Sequence, residues 1–139
     1  MYTLALTTDL SAEQERQYND LLLESQDETF FYGDKLDPKR SRQVILNEKG
    51  CVVGAFEFKR MMFDGKYYWR TNRPYTLKAY RGQGIMKQVL KDWYEIRRPS
   101  IAWIDDENLS SIRLFVSIGF QEERAAEMHG KQGHFYVLV

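Results

Sequence analysis

The chain has few of the residues that build cross-links and metal sites, with one cysteine and two histidines among 139 residues. The lone Cys51 cannot form an internal disulfide, and so few cysteines and histidines do not supply a structural zinc site. The sequence also lacks an apolar run of membrane-spanning length and a signal-peptide pattern near Met1. We therefore expect no metal, no membrane partner and a cytoplasmic location.

Net charge is absent too, because 20 basic and 20 acidic residues cancel. This balance excludes a drive of the whole chain toward nucleic acid or anionic lipid. The distribution is uneven, since the nine basic residues from Lys59 to Lys91 are opposed by Asp64 alone. Such a stretch suits a polyanionic ligand, and a solvated face explains it as well. The hydrophobic content of 43% predicts a folded chain, and the length predicts a single domain over residues 1–139.

The order of apolar patterns predicts one mixed α/β sheet. Ser11 with Gln14 forms a capping-box pattern that opens a helix, and the pair Asp64-Gly65 predicts a hairpin turn. The apolar run Ile101–Ile104 suits a buried strand reached by a parallel crossover. The remaining predicted strands are 2–7, 44–46, 52–58, the segment around Tyr67 and Trp69, and 135–139. The other predicted helices carry Ile85, Met86, Val89, Leu90, Trp93 and Ile96 on one apolar face, and Leu109, Ile112 and Phe115 between the N-cap Asn108 and the C-terminal Gly119.

The most informative segment is Arg81-Gly82-Gln83-Gly84, a glycine turn between a strand and a helix. Free backbone amides, the positive end of the helix dipole and glycines without a Cβ together suit a phosphate or pyrophosphate. Arg81 would add a bidentate donor. The segment is not a Walker A loop, because no lysine followed by serine or threonine closes it, and the third glycine of the dinucleotide fingerprint is missing. A bare glycine turn that only reverses the chain is the alternative.

Two separated motifs give the sequence a resemblance to a known family. The run Arg81–Gly84, followed later by Asn108 and by Ile118-Gly119-Phe120, resembles the Gcn5-related N-acetyltransferases, whose signature is Arg/Gln-x-x-Gly-x-Gly/Ala. The detailed match covers about Thr76 to Phe120, and the upstream order of elements agrees with the topology of the family. The resemblance implies a mixed, mainly antiparallel sheet with a central splayed parallel pair, flanked by helices.

The resemblance also implies acetyl-CoA as co-substrate and direct attack of a primary amine on its thioester in a ternary complex. The amine would belong to a small molecule or a peptide. No covalent enzyme intermediate is needed, and Cys51 is expected to be a small core residue. The pantetheine arm would lie between the strand ending near Leu77 and the strand Ile101–Ile104. The implied cofactor-binding residues are Thr76, Leu77, Arg81, Gly82, Gln83, Gly84, Ile85, Met86, Asn108 and Phe115.

Three positions depart from the pattern of the family. Met86 replaces the final small residue of the loop motif, and we expect it to point into the core because it continues the apolar helix face. Phe115 stands where many members have a tyrosine acid, and a phenyl ring cannot donate a proton. The strand segment 67–80 contains no histidine or carboxylate to act as a base.

Other residues are candidates for the missing catalytic groups. Water held by Asn72, or the carboxylate of Glu57 or Asp105, could take the proton of the amine, and Tyr75 could act as an acid. Each of these is also interpreted as an ordinary capping, solvated or packing residue. Further aromatic and histidine candidates are Tyr94, His129 and His134.

Several functional alternatives stay open at the level of sequence. One is a non-catalytic binding or regulatory module that retains coenzyme A binding, and another is an acyltransferase acting on a nucleotide or nucleic-acid amine. Nucleic acid is therefore not excluded as a partner, and a homodimer is also left open. The aromatic trio Phe30-Phe31-Tyr32 is a candidate lining of the acceptor site, or a small core under a loop.

Overall fold

The computed structural model describes residues 1–28, 30 and 41–139, which contain seven strands and three α-helices. The strands are β1 (Thr3–Leu6), β2 (Arg42–Leu46), β3 (Val52–Phe63), β4 (Lys66–Thr76), β5 (Ser100–Asp105), β6 (Gln121–Met128) and β7 (Lys131–Leu138). The helices are α1 (Ala12–Ser25), α2 (Ile85–Tyr94) and α3 (Leu109–Ile118), and short 3₁₀ turns cover Thr7–Asp9 and Lys78–Tyr80. No helix in these ranges is long and apolar enough to cross a membrane.

All seven strands belong to one sheet with the order β1-β2-β3-β4-β5-β7-β6. Of the neighbouring pairs in this sheet, β4 with β5 is parallel and the others are antiparallel. The parallel pairing joins Trp69 to Ser100 and Arg70 to Ile101, and the two strands then separate. The expected fold, a mixed and mainly antiparallel sheet with a splayed parallel pair and flanking helices, is confirmed.

The local signals for helix starts and turns agree with the structure. The Ser11 hydroxyl accepts the N–H of Gln14 at 3.1 Å, and the Gln14 side chain accepts the N–H of Ser11 at 2.9 Å. Asn108 caps α3 by accepting the N–H of Ser111 through Oδ1. The turn at Asp64-Gly65 has left-handed φ values of 50° and 79°, as a tight hairpin requires. These elements are therefore specified by short stretches of sequence.

Two sequence predictions about element ends were wrong. Ile96 was expected on the apolar face of α2, but the helix ends at Tyr94 and Ile96 is 81% exposed. The chain there turns toward β5, with the Arg97 N–H donating to the Tyr94 carbonyl. The last strand was predicted at 135–139, but β7 already begins at Lys131, directly after the left-handed turn residues His129 and Gly130.

The helices pack on opposite faces of the sheet. Helices α2 and α3 cover one face, where Trp93 and Phe115 belong to the largest core cluster together with Ile104 of β5. Helix α1 covers part of the other face, where Leu21 packs with Val44 and other β-strand residues. Consequently the opening between β4 and β5 connects the two faces of the sheet.

Candidate functional site

A cavity of about 860 Å³ lies where β4 and β5 separate. It is lined by residues 70–76 of β4 and 102–105 of β5, together with the first turns of α3 and Arg81 from the glycine loop. Because these two strand segments are not paired with each other, the sheet is open at this point. The cavity therefore runs from the start of α2 to the sheet face opposite that helix.

A β-bulge in β4 accompanies this opening. In the register with β3, Ala55 lies opposite Tyr75 while Glu57 lies opposite Asn72, so two residues of β4 face the single residue between them. The two bulged residues are Arg73, with a left-handed φ of 51°, and Pro74. A bulge bends its strand, and a proline cannot donate to a ladder, so both features separate β4 from regular pairing.

The glycine loop presents an uncapped helix start at one end of the cavity. Gly84 is the N-cap residue of α2 with φ 72°, and no side chain of the described residues caps the amides of this helix. Gly82 has φ 82°, and a Cβ placed on either glycine would meet no atom within 4 Å. The loop therefore leaves free donors beside open space, which fits a phosphate group.

Arg81 is directed back onto β4. Its Nε donates to the Thr76 carbonyl at 2.9 Å, and its guanidinium lies 5.0 Å from the centroid of the Tyr75 ring. One Nη atom is 4.0 Å from a carboxylate oxygen of Glu28. Part of the donor capacity that the sequence assigned to a phosphate is therefore used to hold the loop against the strand.

The predicted cofactor-binding residues fall into two groups. Thr76, Arg81, Met86, Asn108 and Phe115 line the cavity. The other five lie in or next to the glycine loop, and they are Leu77, Gly82, Gln83, Gly84 and Ile85. As expected for a continuation of the apolar helix face, the Met86 side chain is buried in the core.

Asn72 and Asp105 both reach the cavity, one from each of the separated strands. Asn72 Oδ1 accepts a hydrogen bond from Arg70 Nε at 3.0 Å. Asp105 is 5% exposed, and its Oδ1 accepts the N–H of Glu107 at 2.8 Å. The two side chains thus keep fixed positions on opposite walls.

The Tyr75 hydroxyl is tied to α1. It donates to a carboxylate oxygen of Glu24 at 2.8 Å, and that oxygen also accepts the Lys78 N–H. Burial, and then the adjacent Glu24 carboxylate, raise the pKa of Tyr75 to about 12. Its hydroxyl is therefore protonated at neutral pH and joins β4 to α1.

Glu57 does not line the cavity between β4 and β5. It is buried between two arginines, with Arg42 Nη2 at 3.0 Å and Arg73 Nη1 at 3.7 Å from its Oε2. Arg42 also donates to the Tyr18 hydroxyl at 3.0 Å. This arrangement links α1, β2, β3 and the bulge of β4, which is a structural role.

We expect Glu57→Gln to lower the free energy of unfolding by about 3–5 kcal/mol, since it removes the charge of one partner of the buried Arg42–Glu57 ion pair. Denaturation in guanidinium chloride followed by circular dichroism measures this change. Glu48→Gln is the control, because Glu48 forms an exposed pair with the N-terminal amine and its loss should not be measurable. Equal stability of the two variants would contradict the structural role of Glu57.

The remaining candidates divide between the cavity and its surroundings. Phe115 lines the cavity with its ring 5.1 Å from that of Phe120, while the Tyr94 hydroxyl is buried against Thr71, where burial raises its pKa. His129 lines the cavity, and His134 instead bonds Asp106 at 2.6 Å. Phe30 also lines the cavity, and residues 31 and 32 lie outside the described part of the chain.

Sequence reasoning missed Arg70, a half-buried cavity residue. Its place two residues before Asn72 was the available signal, because residues i and i+2 of a strand share a face. Among residues 1–28, 30 and 41–139, no group of three or more histidine, cysteine, aspartate or glutamate side chains could hold a metal ion.

A mixed sheet whose central parallel pair opens beside a glycine-led helix defines the acyl-CoA N-acyltransferase fold. The chain matches the acetyltransferase (GNAT) family over residues 4–120 and belongs to that family. A search of the curated proteins finds no match.

Solved structures agree with this fold. A candidate acetyltransferase from Acinetobacter baylyi ADP1 is 20% identical with a TM-score of 0.69, covering 99% of this chain and 93% of that chain. Arabidopsis thaliana NAA60 in complex with acetyl-CoA is 11% identical with a TM-score of 0.69, covering 99% and 98%. The NatC complex bound to Gag peptide and CoA is 14% identical with a TM-score of 0.67, covering 99% and 97%.

Proposed function

We propose that this protein transfers the acetyl group of acetyl-CoA to a primary amine in a ternary complex. The observation that carries the proposal is a single cavity with an uncapped, glycine-led helix start at one end and the opened parallel strands β4 and β5 along its walls. When bound, acetyl-CoA would supply a thioester for the amine to attack, with the thiol of coenzyme A as the leaving group. Membership in an acetyltransferase family supports the same reaction.

The residues at the helix start fit the phosphate end of the cofactor. Backbone amides from Gly82 to Met86 are the proposed partners of the pyrophosphate, since the dipole of α2 favours negative charge there. Four basic and two acidic residues line the cavity among those described, which favours an anionic ligand: Lys59, Arg70, Arg73 and Arg81 against Glu28 and Asp105. Asn108 and Phe115 would flank the pantetheine arm of the cofactor from the side of α3.

We assign the role of general base to Asp105. An alkylamine with a pKa of about 10.4 is protonated at neutral pH and must lose a proton before it attacks. Ala102 and Ile104 of β5 belong to the core under α2 and α3. Asp105, one position beyond Ile104, therefore projects to the opposite face. Asn72 lies on the facing strand and supplies a polar side chain to the opposite wall of the cavity.

Proton transfer matters less for departure of the coenzyme A thiol than for attack by the amine. A thiol has a pKa of about 8.5, so its thiolate departs without full protonation. Phe115 supplies no acid, and this observation favours, as a second candidate function, a module that binds coenzyme A without turnover.

One experiment tests both functions. The purified protein is titrated with coenzyme A by calorimetry, and then incubated with acetyl-CoA and primary amines while free thiol is followed. We expect binding and amine-dependent thiol release. Binding without such release would leave the non-catalytic module, and absence of binding would contradict both.

A further inference from the structure

Arg70 lies on the sheet face opposite α2. Its neighbours in β4 point the other way, since the Trp69 ring is 5.7 Å from Trp93 of α2 and the Thr71 hydroxyl bonds Tyr94 of the same helix. Side chains alternate along a strand, so Arg70 and Asn72 share the opposite face. The cavity therefore has a cationic residue at the end away from the glycine loop.

The guanidinium of Arg70 has an unusual set of partners. Nε donates to Asn72 Oδ1 at 3.0 Å, while Nη1 lies 3.6 Å from the sulfur of Met61 and Nη2 lies 4.0 Å from that of Met128. Thioether sulfur is a weak acceptor. Within the described part of the chain, Arg70 has no carboxylate within 4.0 Å. Nη1 and Nη2 of this half-buried guanidinium therefore have no strong acceptor among the described residues.

The other two arginines of the cavity differ from Arg70 in this respect. Arg73 lies 3.7 Å from Glu57, and Arg81 lies 4.0 Å from Glu28. Desolvation lowers the pKa of Arg70, yet a guanidinium stays charged at neutral pH. The cavity therefore holds one desolvated positive charge that the described residues do not neutralise.

A second basic residue lies at the same end of the cavity. Lys59 of β3 is directly opposite Arg70 in the antiparallel register and also lines the cavity. An anion bound there would give the Arg70 guanidinium a charged bidentate acceptor, which the described residues do not provide.

We propose that Arg70 and Asn72 bind an anionic group of the acetyl acceptor, which is therefore a small amine carrying a carboxylate, phosphonate or phosphate. This inference rests on the proposed acetyl transfer. Asn72 receives the Arg70 bond at Oδ1, so its amide N–H groups remain donors for the same anion. Asp105 on the facing strand then attracts the ammonium end, and the two walls together match a molecule with both charges.

The distance between the two charges guides the choice of acceptors. Ile101 lies opposite Arg70, and Asp105 follows it by four residues, or about 13 Å along the strand before side chains extend. The panel therefore varies chain length: glycine, 4-aminobutyrate, 6-aminohexanoate and 2-aminoethylphosphonate. Each carboxylate is paired with its neutral amide, and the phosphonate is paired with propylamine.

We expect the best anionic amine to exceed its neutral partner by at least about 10-fold in kcat/KM, since a bidentate charged contact is strong. Arg70→Gln should remove this preference mainly through KM, lowering kcat/KM for the anionic amine far more than for its neutral partner, and Arg70→Lys should partly restore it. The matched control is Arg60→Gln, because Arg60 is an exposed arginine of β3 that lies opposite Trp69. Arg60→Gln should keep the full preference.

Three outcomes would overturn the inference. They are equal use of anionic and neutral amines, an equal loss for both in Arg70→Gln, and a requirement for peptide amines that is independent of Arg70. Calorimetric titration of the same amines into protein saturated with coenzyme A needs no turnover. Arg70-dependent binding without thiol release would support the anion site and contradict acetyl transfer, and absence of both would contradict both proposals.

Discussion

Gly84→Asp is expected to weaken coenzyme A binding by about 100-fold or more. Aspartate is a strong N-cap residue, so its carboxylate would accept the amide hydrogen bonds at the start of α2 that we assign to the pyrophosphate. The same carboxylate would place a negative charge in the space that a Cβ at Gly84 finds open. Titration calorimetry with coenzyme A measures the change in Kd.

Two controls separate this effect from backbone strain. Gly84→Asn introduces a neutral side chain of nearly the same shape, and asparagine tolerates the left-handed region. Gly130→Asp places the same residue at the same φ of 72°, in the turn before β7. We expect Gly84→Asn to retain more affinity than Gly84→Asp, and Gly130→Asp to bind normally. Unchanged affinity in Gly84→Asp would show that the loop does not bind the phosphates.

The parts of the fold that were predictable from the sequence are those that short segments specify. Ser11 and Asn108 cap their helices through contacts three residues away, and Asp64-Gly65 forms a turn by its own backbone preference. The position of the glycine loop was predictable for the same reason, because Gly82 and Gly84 hold left-handed conformations that other residues rarely adopt.

Long-range pairing was not predictable in this way. Strand β6 was not recognised because its residues are mostly exposed and show no alternation of apolar side chains. Glu57 was interpreted as a candidate base because its ion pair with Arg42, which is 15 residues away, cannot be inferred from the adjacent sequence. Tyr75 was a candidate acid, although Glu24 binds its hydroxyl from a position 51 residues earlier.

The candidate site shows the same division. The start of α2, Asp105 and Asn72 were each identified from the sequence as candidates. Which side chains enter the cavity is decided by the bulge at Arg73 and by the end of the parallel pairing after Arg70. Arg70 was missed because its significance depends on which described side chains surround its guanidinium, and this is a property of the packed sheet. Assignment of a strand residue to one face requires knowing what its neighbours contact.

Asp105→Asn should lower kcat for acetyl transfer by about 10²–10⁴-fold, the range that a positioned general base contributes. Asparagine keeps the Oδ1 acceptor for the Glu107 N–H, so the end of β5 should remain intact. Coenzyme A affinity should stay the same, because the assigned phosphate donors lie in the glycine loop. Steady-state thiol release and calorimetry measure the two quantities.

The pH dependence distinguishes a base from a structural residue. At neutral pH an alkylamine is almost wholly protonated, whereas near its pKa of about 10.4 the free amine forms without help. The deficit of Asp105→Asn should therefore shrink as pH rises, while a folding defect would persist at every pH. Asp106→Asn is the control, since Asp106 is exposed and bonds His134, and its kcat should equal that of the parent. A deficit of constant size across the pH range would assign the base to another group.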